Sequence, residues 1–178
     1  MKSALILLLL FSNLTIGQKI FSTKKGNIAF EASIPGFEEV KAKSDEATCK
    51  LNIENGTFES SLLIKNLHFK LELMEEHFNQ NYLESERYPK SIFKGKIMDF
   101  DKEKITEVEK EFMIKGTLEL HGKIQNISIT GTLKRIGKNI FLKADFYINA
   151  DDFDVKIPNL ISSKVSNKVL IHTNYILN

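Results

Sequence analysis

Apolar and polar residues alternate in several stretches of the chain. Over residues 112–120, the even positions carry Phe, Ile, Gly, Leu and Leu, whereas Lys, Thr and Glu occupy odd positions. The same alternation recurs over residues 28–34, 127–133 and 140–148. Because successive side chains of a strand point to opposite faces, a period of two puts the apolar side chains on one face. These stretches therefore predict strands with one apolar and one polar face.

Short turns with glycine separate the predicted strands. Asn55-Gly56 divides two apolar runs, and Asn-Gly suits the two positive φ angles of a type I′ hairpin turn. Gly122-Lys123 and Gly137-Lys138-Asn139 separate two further pairs of strands. All three prolines lie outside the alternating runs, so no strand loses a backbone donor. Such short connections favour an up-and-down antiparallel sheet.

One segment has a helical period instead. Apolar residues recur there three or four positions apart, opposite a group of glutamates: Leu67, Leu71, Met74, Phe78 and Tyr82. This spacing predicts a short helix, although residues 69–73 also fit a strand, which leaves the start of the helix open. A second helical turn is expected over residues 159–166, before a last strand at residues 169–177.

The number of strands and the scarcity of helix together indicate the fold class. A sheet with one apolar face must bury that face, and this chain has little except the sheet itself to cover it. We therefore expect an all-β fold: a closed antiparallel up-and-down barrel of about eight strands with one or two short helices. Closure also removes exposed edge strands. A β-sandwich could be built from similar strands, and alternation alone does not exclude it.

Small residues at inward positions suggest that the barrel is hollow. They are Ala32, Ser60, Gly95, Gly116, Gly131 and Ala144. Missing side chains would leave room for a ligand, although a strand glycine can instead serve to bend the strand. With about eight strands, a barrel is just wide enough for its own side chains or for one slender ligand. We expect one long apolar molecule inside.

The candidate ligand contacts follow from the same parity. The apolar side chains predicted to line the cavity are Phe30, Phe58, Leu62, Phe93, Ile114, Leu118, Ile129, Leu142 and Phe146. Met74 and Phe78, on the predicted helix, are expected to cap or flank the mouth of the barrel. A polar head group would remain near that mouth.

The first residues resemble an export signal. Lys2 precedes an apolar run at residues 4–11, and Thr15-Ile16-Gly17 resembles a cleavage site. We expect a signal peptide at residues 1–17 and one mature domain at residues 18–178, which would be soluble in the periplasm or secreted. A signal retained in the membrane is the alternative. Cys49 is the only cysteine, so it cannot form an intramolecular disulfide, and we expect it to be buried.

Charge and motifs favour binding over other functions. The 25 basic and 23 acidic residues are interspersed, which argues against binding to nucleic acid. The chain has no recognisable catalytic, cofactor or metal motif, and His77 beside Glu75 and Glu76 cannot converge on a metal from adjacent helical positions. We expect no enzyme, no cofactor and no metal. His121 and His172 fall on the polar parity, where surface histidines are expected.

Two other functions stay open. The polar outer parity, which includes Glu119 and His121, is compatible with an envelope stress or interaction module that acts through its outer surface, with a cavity of structural use only. An enzyme that uses His77 and Glu76 as acid and base is the third hypothesis, and it lacks a third group to orient them.

Four segments resemble a known family. Residues 74–78 (MEEHF), 81–85 (NYLES) and 88–95 (YPKSIFKG) are similar to the central signature of the YceI-like family, and residues 157–161 (IPNLI) match before the last strand. The resemblance covers about residue 28 to the C-terminus. It implies an extended lipocalin-like barrel, usually periplasmic, that holds polyisoprenoid or other long-chain lipids. It also implies a homodimer, although no single exposed apolar patch is evident in the sequence.

Overall fold

The computed structural model describes residues 20–178, so the predicted signal at residues 1–17 lies outside the described residues. Nine strands are found in this part of the chain: β1 Ile20–Ser33, β2 Lys41–Asn52, β3 Thr57–Leu63, β4 His68–Phe69, β5 Lys90–Ile97, β6 Lys110–Leu120, β7 Lys123–Ile136, β8 Asn139–Asn149 and β9 Val165–Leu177. The one α-helix within residues 20–178, α1 (Glu72–His77), continues into a π-helical turn at Phe78–Tyr82. Shorter 3-10 turns occur at Ile64–Asn66, Lys102–Lys104 and Ala150–Phe153.

Eight of these strands close into a barrel. Each strand pairs antiparallel with its neighbours, and β1 pairs with both β2 and β9 to complete the circle. The additional strand, β4, pairs with β2 through Ala42 and Phe69, beside the end of β3. The closed up-and-down barrel predicted from alternation is confirmed, and the sandwich alternative is wrong. No helix among residues 20–178 is long and apolar enough to span a membrane.

The type I′ turn occurs at a different hairpin from the one predicted. His121 and Gly122 have φ angles of 50° and 71° and connect β6 to β7 in two residues. Gly56 has a φ of 71°, but Asn55 is not in the left-handed region, so the prediction of a type I′ turn at Asn55-Gly56 is wrong. The reason is the side chain of Asn55, whose Oδ1 accepts a hydrogen bond from the Thr57 backbone N–H at 3.0 Å and stabilises a longer loop.

The helical segment begins later than its apolar spacing predicted. A 3-10 turn and then β4 occupy residues 64–69, so the alternative reading as a strand holds for His68–Phe69 and the helix begins at Glu72. The second predicted helical turn, at residues 159–166, does not extend to a regular helix. Hydrogen-bonded turns occupy residues 159–164, and β9 begins at Val165, where the backbone N–H donates to the Ile161 carbonyl at 3.1 Å.

One half of the barrel interior is filled by its own side chains. We call it the filled half, and it contains Phe21, Ala47, Cys49, Leu51, Ile53, Ile97, Ile105, Leu133, Ile140 and Leu177, all buried. The connection between β5 and β6 covers this end, since Ile105 is buried and the Arg135 N–H donates to the Thr106 carbonyl at 2.7 Å. The predicted burial of Cys49 is confirmed.

Candidate functional site: an apolar cavity in the barrel

The other half of the barrel encloses a cavity of about 620 Å³. This volume falls within the roughly 300–1,000 Å³ of typical small-molecule sites. Every barrel strand except β2 contributes inward side chains to its wall. We call this part of the barrel the hollow half. Since most of its lining is aliphatic or aromatic, the cavity favours an apolar occupant over water.

All the residues predicted as ligand contacts lie on the wall of this cavity: Phe30, Phe58, Leu62, Met74, Phe78, Phe93, Ile114, Leu118, Ile129, Leu142 and Phe146. Alternation along each strand identified the strand residues among them, because every second side chain of a strand in a closed barrel points into the interior. The structure thus gives their position, while contact with a ligand stays a prediction.

The small inward residues divide into two groups. Ala32, Ser60 and Ala144 line the cavity, as expected. The prediction that the three strand glycines also enlarge it is wrong, because none of them lines it. A side chain at Gly116 would collide with the Lys94 carbonyl and the backbone of Gly95 on the neighbouring strand. Gly116 instead lets the backbones of β5 and β6 approach closely.

At Gly95 and Gly131, the space of the missing side chain is taken by neighbours. The ring of Phe93 covers Gly95, and the side chain of Ile114 lies against Gly131. Both glycines therefore serve packing within the sheet.

A cluster of three phenylalanines holds the helical segment over the cavity. The ring of Phe78 stacks on that of Phe30 with centroids 5.3 Å apart, and the ring of Phe69 contacts both at 5.0 and 5.6 Å. No residue of α1 or of the π-helical turn is buried, however. This cover is therefore attached by the aromatic cluster and by Glu75, whose carboxylate accepts a hydrogen bond from the Phe69 N–H at 2.9 Å, rather than by a packed core.

The rim of the cavity is partly apolar and partly charged. Phe37 and Leu73 line the cavity and yet are 48% and 64% exposed. Three lining residues have acidic or basic side chains, Glu38, His77 and Lys164, and all three are exposed. These groups lie where the cavity meets solvent, so the mouth is amphipathic.

The acid and base of the enzymatic hypothesis do not contact each other. Glu76 Oε1 accepts a hydrogen bond from the Gln80 amide at 3.0 Å, and the His77 imidazole makes no hydrogen bond or ion pair with the described residues. Within residues 20–178, no three His, Cys, Asp or Glu side chains converge as a metal site.

His121 is not at the surface as predicted, since its side chain is only 10% exposed. Its Nε2 lies 2.9 Å from Glu84 Oε2, its Nδ1 lies 3.1 Å from the Phe153 carbonyl, and its ring meets Tyr88 edge to face at 4.7 Å. The surface prediction failed because His121 lies in the hairpin turn, where strand parity does not apply. These contacts tie residues 84–88 to the β6–β7 hairpin. His172 is 43% exposed and bonded to Asp145, as a surface histidine.

A pair of buried hydroxyls was missed by the sequence reasoning. Ser60 Oγ and Tyr175 Oη lie 2.6 Å apart, both residues line the cavity, and they are 5% and 2% exposed. Burial raises the pKa of Tyr175 above its ordinary value, so its hydroxyl stays protonated. Tyr175 shares the inward parity of Val169, Ile171 and Thr173, and that signal could have identified it.

Solved structures of other proteins have a similar fold. A polyisoprenoid binding domain from Saccharophagus degradans, implicated in plant cell wall breakdown, superposes with a TM-score of 0.76 at 13% identity, covering 89% of this chain and 97% of that one. BcnA of Burkholderia cenocepacia gives 0.71 at 13% identity, covering 86% and 96%. The YCEI protein of Campylobacter jejuni gives 0.58 at 14% identity, covering 74% and 78%. At such identities the likeness shows the fold alone.

The family follows from the sequence itself. A search of curated proteins gives no match. The YceI-like domain, by contrast, matches residues 20–176, nearly all of the described chain. The resemblance carried by residues 74–78, 81–85 and 88–95 is thereby confirmed. The chain belongs to the YceI-like family.

Proposed function

We propose that this YceI-like chain holds one long-chain molecule, isoprenoid or fatty-acyl, in its barrel and carries or stores it. The observation that supports the proposal is the apolar cavity of about 620 Å³ in the hollow half. Burial of a long tail there would yield roughly 25 cal/mol per Å² of apolar area, from which the entropic cost of association is subtracted. The similarity to a polyisoprenoid binding domain from Saccharophagus degradans also supports a lipid ligand.

The cellular setting belongs to the same proposal. The apolar run at residues 4–11 and the small-residue site at residues 15–17 favour export, cleavage before Gln18 and a soluble periplasmic or secreted product. A homodimer stays a prediction of the family resemblance. Catalysis has no part in the proposal, since no pair of acid and base is assembled at Glu76 and His77.

The test is to identify what the purified protein contains. We expect organic extraction followed by mass spectrometry to yield a co-purifying long-chain lipid in near-stoichiometric amount. The matched control is the Ala144→Leu variant, whose added side chain would project into the cavity, and which should retain less lipid. A well-folded protein that contains no lipid and takes up none from vesicles would contradict the proposal.

A further inference from the structure

The hydroxyls of Ser60 and Tyr175 are the buried polar groups of an otherwise apolar part of the cavity wall. Three other lining hydroxyls have partners within the protein. Thr173 Oγ1 donates to the Ala144 carbonyl at 3.1 Å, Ser166 Oγ donates to the Lys168 carbonyl at 2.8 Å, and Ser61 Oγ lies 2.9 Å from Thr48 Oγ1. The pair of Ser60 and Tyr175 is more deeply buried than these groups, and each of its hydroxyls has only the other as a partner among residues 20–178.

The pair has one proton too many for its own hydrogen bond. Each hydroxyl carries one proton and two acceptor lone pairs, so the bond between Ser60 and Tyr175 uses one of the two protons whichever group donates. The remaining proton has no acceptor among residues 20–178. A buried donor without an acceptor is unfavourable, so this position favours a partner from within the cavity.

The position of the pair is fixed by packing. Gly26 has no side chain, and the ring of Tyr175 occupies the space that a Cβ at Gly26 would need. Cys49 is fully buried in the filled half and is the β2 residue that pairs with Ser60 on β3. The tyrosine hydroxyl therefore lies at the boundary between the two halves, at the deep end of the cavity.

The charge around the pair limits the kind of acceptor. The acidic and basic side chains of the lining, Glu38, His77 and Lys164, are all exposed at the rim. No cation in the described lining therefore accompanies the hydroxyl pair, and a carboxylate buried there would lose its hydration without a counter-charge. A neutral oxygen accepts the spare proton without that cost.

We propose that Ser60 and Tyr175 form a subsite that donates a hydrogen bond to a neutral carbonyl, amide or ester oxygen at the deep end of the bound chain. This inference rests on the proposed lipid binding and narrows its ligand class. A molecule with such an oxygen at its leading end binds more tightly than a hydrocarbon of equal length, and its apolar tail extends toward the mouth.

The test compares three probes of equal carbon number: hexadecane, the corresponding methyl ketone and hexadecanoate. Each displaces the apolar fluorophore N-phenylnaphthylamine from lipid-stripped full-length mature protein. We expect the ketone to bind about three- to tenfold more tightly than hexadecane, the range of one net hydrogen bond. In the double variant Ser60→Ala with Tyr175→Phe, which removes both hydroxyls and little volume, the ratio of ketone to hexadecane affinity should fall to one.

Each other result counts against a stated claim. Equal affinity for ketone and hexadecane in the unaltered protein would overturn the subsite, including the case in which a water occupies the spare donor. An affinity ratio that survives in the double variant would place the ketone elsewhere, and tighter binding of hexadecanoate than of ketone would overturn the preference for a neutral group. If none of the probes displaces the fluorophore, the proposed lipid binding itself fails. The comparison of ketone with hexadecane in the unaltered protein needs no variant, so the subsite is still tested if the double variant, checked by circular dichroism, does not fold.

Discussion

The filled half and the hollow half of the barrel arise from the same alternation and differ in what covers their ends. At the filled end, the β5–β6 connection buries Ile105, and the backbones of Ser22 and Asn178 exchange two hydrogen bonds at 3.0 and 3.1 Å. At the hollow end, α1 covers the mouth without burying any of its own residues. Alternation thus determines which side chains face inward, whereas the connections determine whether the enclosed space is filled.

The two halves also differ in what they contribute: the filled half mainly stabilises the fold, and the hollow half provides the space for a ligand. Side chains in the filled half contact one another on all sides, so they gain the dispersion and burial energy of a close-packed interior. Side chains that border the cavity lack contacts on one side. We infer that the filled half contributes most of the stability of the fold. The hollow half contributes less, because its side chains border a cavity and make fewer contacts.

The largest expected effect comes from truncating matched residues on one strand. Ile140 and Ile148 both point inward from β8, Ile140 in the filled half with no exposure and Ile148 on the cavity wall. Ile140→Ala should lower the free energy of unfolding by about 2–5 kcal/mol, because it leaves a cavity in packed surroundings. Ile148→Ala should cost less than half as much. Urea unfolding followed by circular dichroism measures both values.

Equal losses for these two variants would show that the cavity wall is as tightly packed as the filled half. That result would remove the contrast on which the binding proposal depends. The m-value of each variant serves as the control that unfolding remains two-state.

The next effect comes from enlarging matched alanines. Ala47 has no exposed surface in the filled half, whereas Ala144 lines the cavity. Ala47→Leu should destabilise the protein by about 1–3 kcal/mol, because a packed interior cannot take extra atoms without strain. Ala144→Leu should change stability little and weaken binding of a long-chain probe about tenfold or more. Unfolding curves and fluorophore displacement provide the two measurements, and a large loss of stability in Ala144→Leu would contradict a hollow interior.

The fold could be predicted from the sequence because alternation is a local property with a global consequence. Once about eight strands have one apolar face, closure follows from the need to bury it. The loop at Asn55 and the helix start at Glu72 could not be read in the same way, because a side-chain hydrogen bond and the pairing of β4 with β2 decided them. At each of these two places the local sequence is compatible with two conformations: a type I′ turn or a longer loop at Asn55, and a strand or a helix before Glu72.

The cavity wall was predicted better than its polar features. The alternating pattern placed Phe30 and Leu118 on the cavity wall, because the apolar face of each strand is the face that points into the barrel. It could not show that Gly116 serves the approach of two backbones, since that depends on register between strands. The contact between Ser60 and Tyr175 joins residues 115 positions apart in the chain, so no local sequence pattern predicts it.

The last expected effect is the smallest at neutral pH and concerns the one thiol, which lies in the filled half. Burial raises the pKa of Cys49 from 9.0 to about 12, so the folded protein keeps the thiol proton that the unfolded chain loses above pH 9. The unfolded state then binds fewer protons, and stability falls as the pH rises from 9 toward 12, by up to about 1.4 kcal/mol per pH unit from this group. Cys49→Ala should flatten that part of the curve of stability against pH, while the alkaline loss of stability due to Tyr175 remains.

A new thiol in the hollow half, Ala144→Cys in the Cys49→Ala background, should react with a small apolar maleimide in the native state, whereas Cys49 should react only after unfolding. If both thiols are equally protected, the hollow half is closed to small molecules. The two halves would then differ in how tightly they are packed, but not in whether a small molecule can enter.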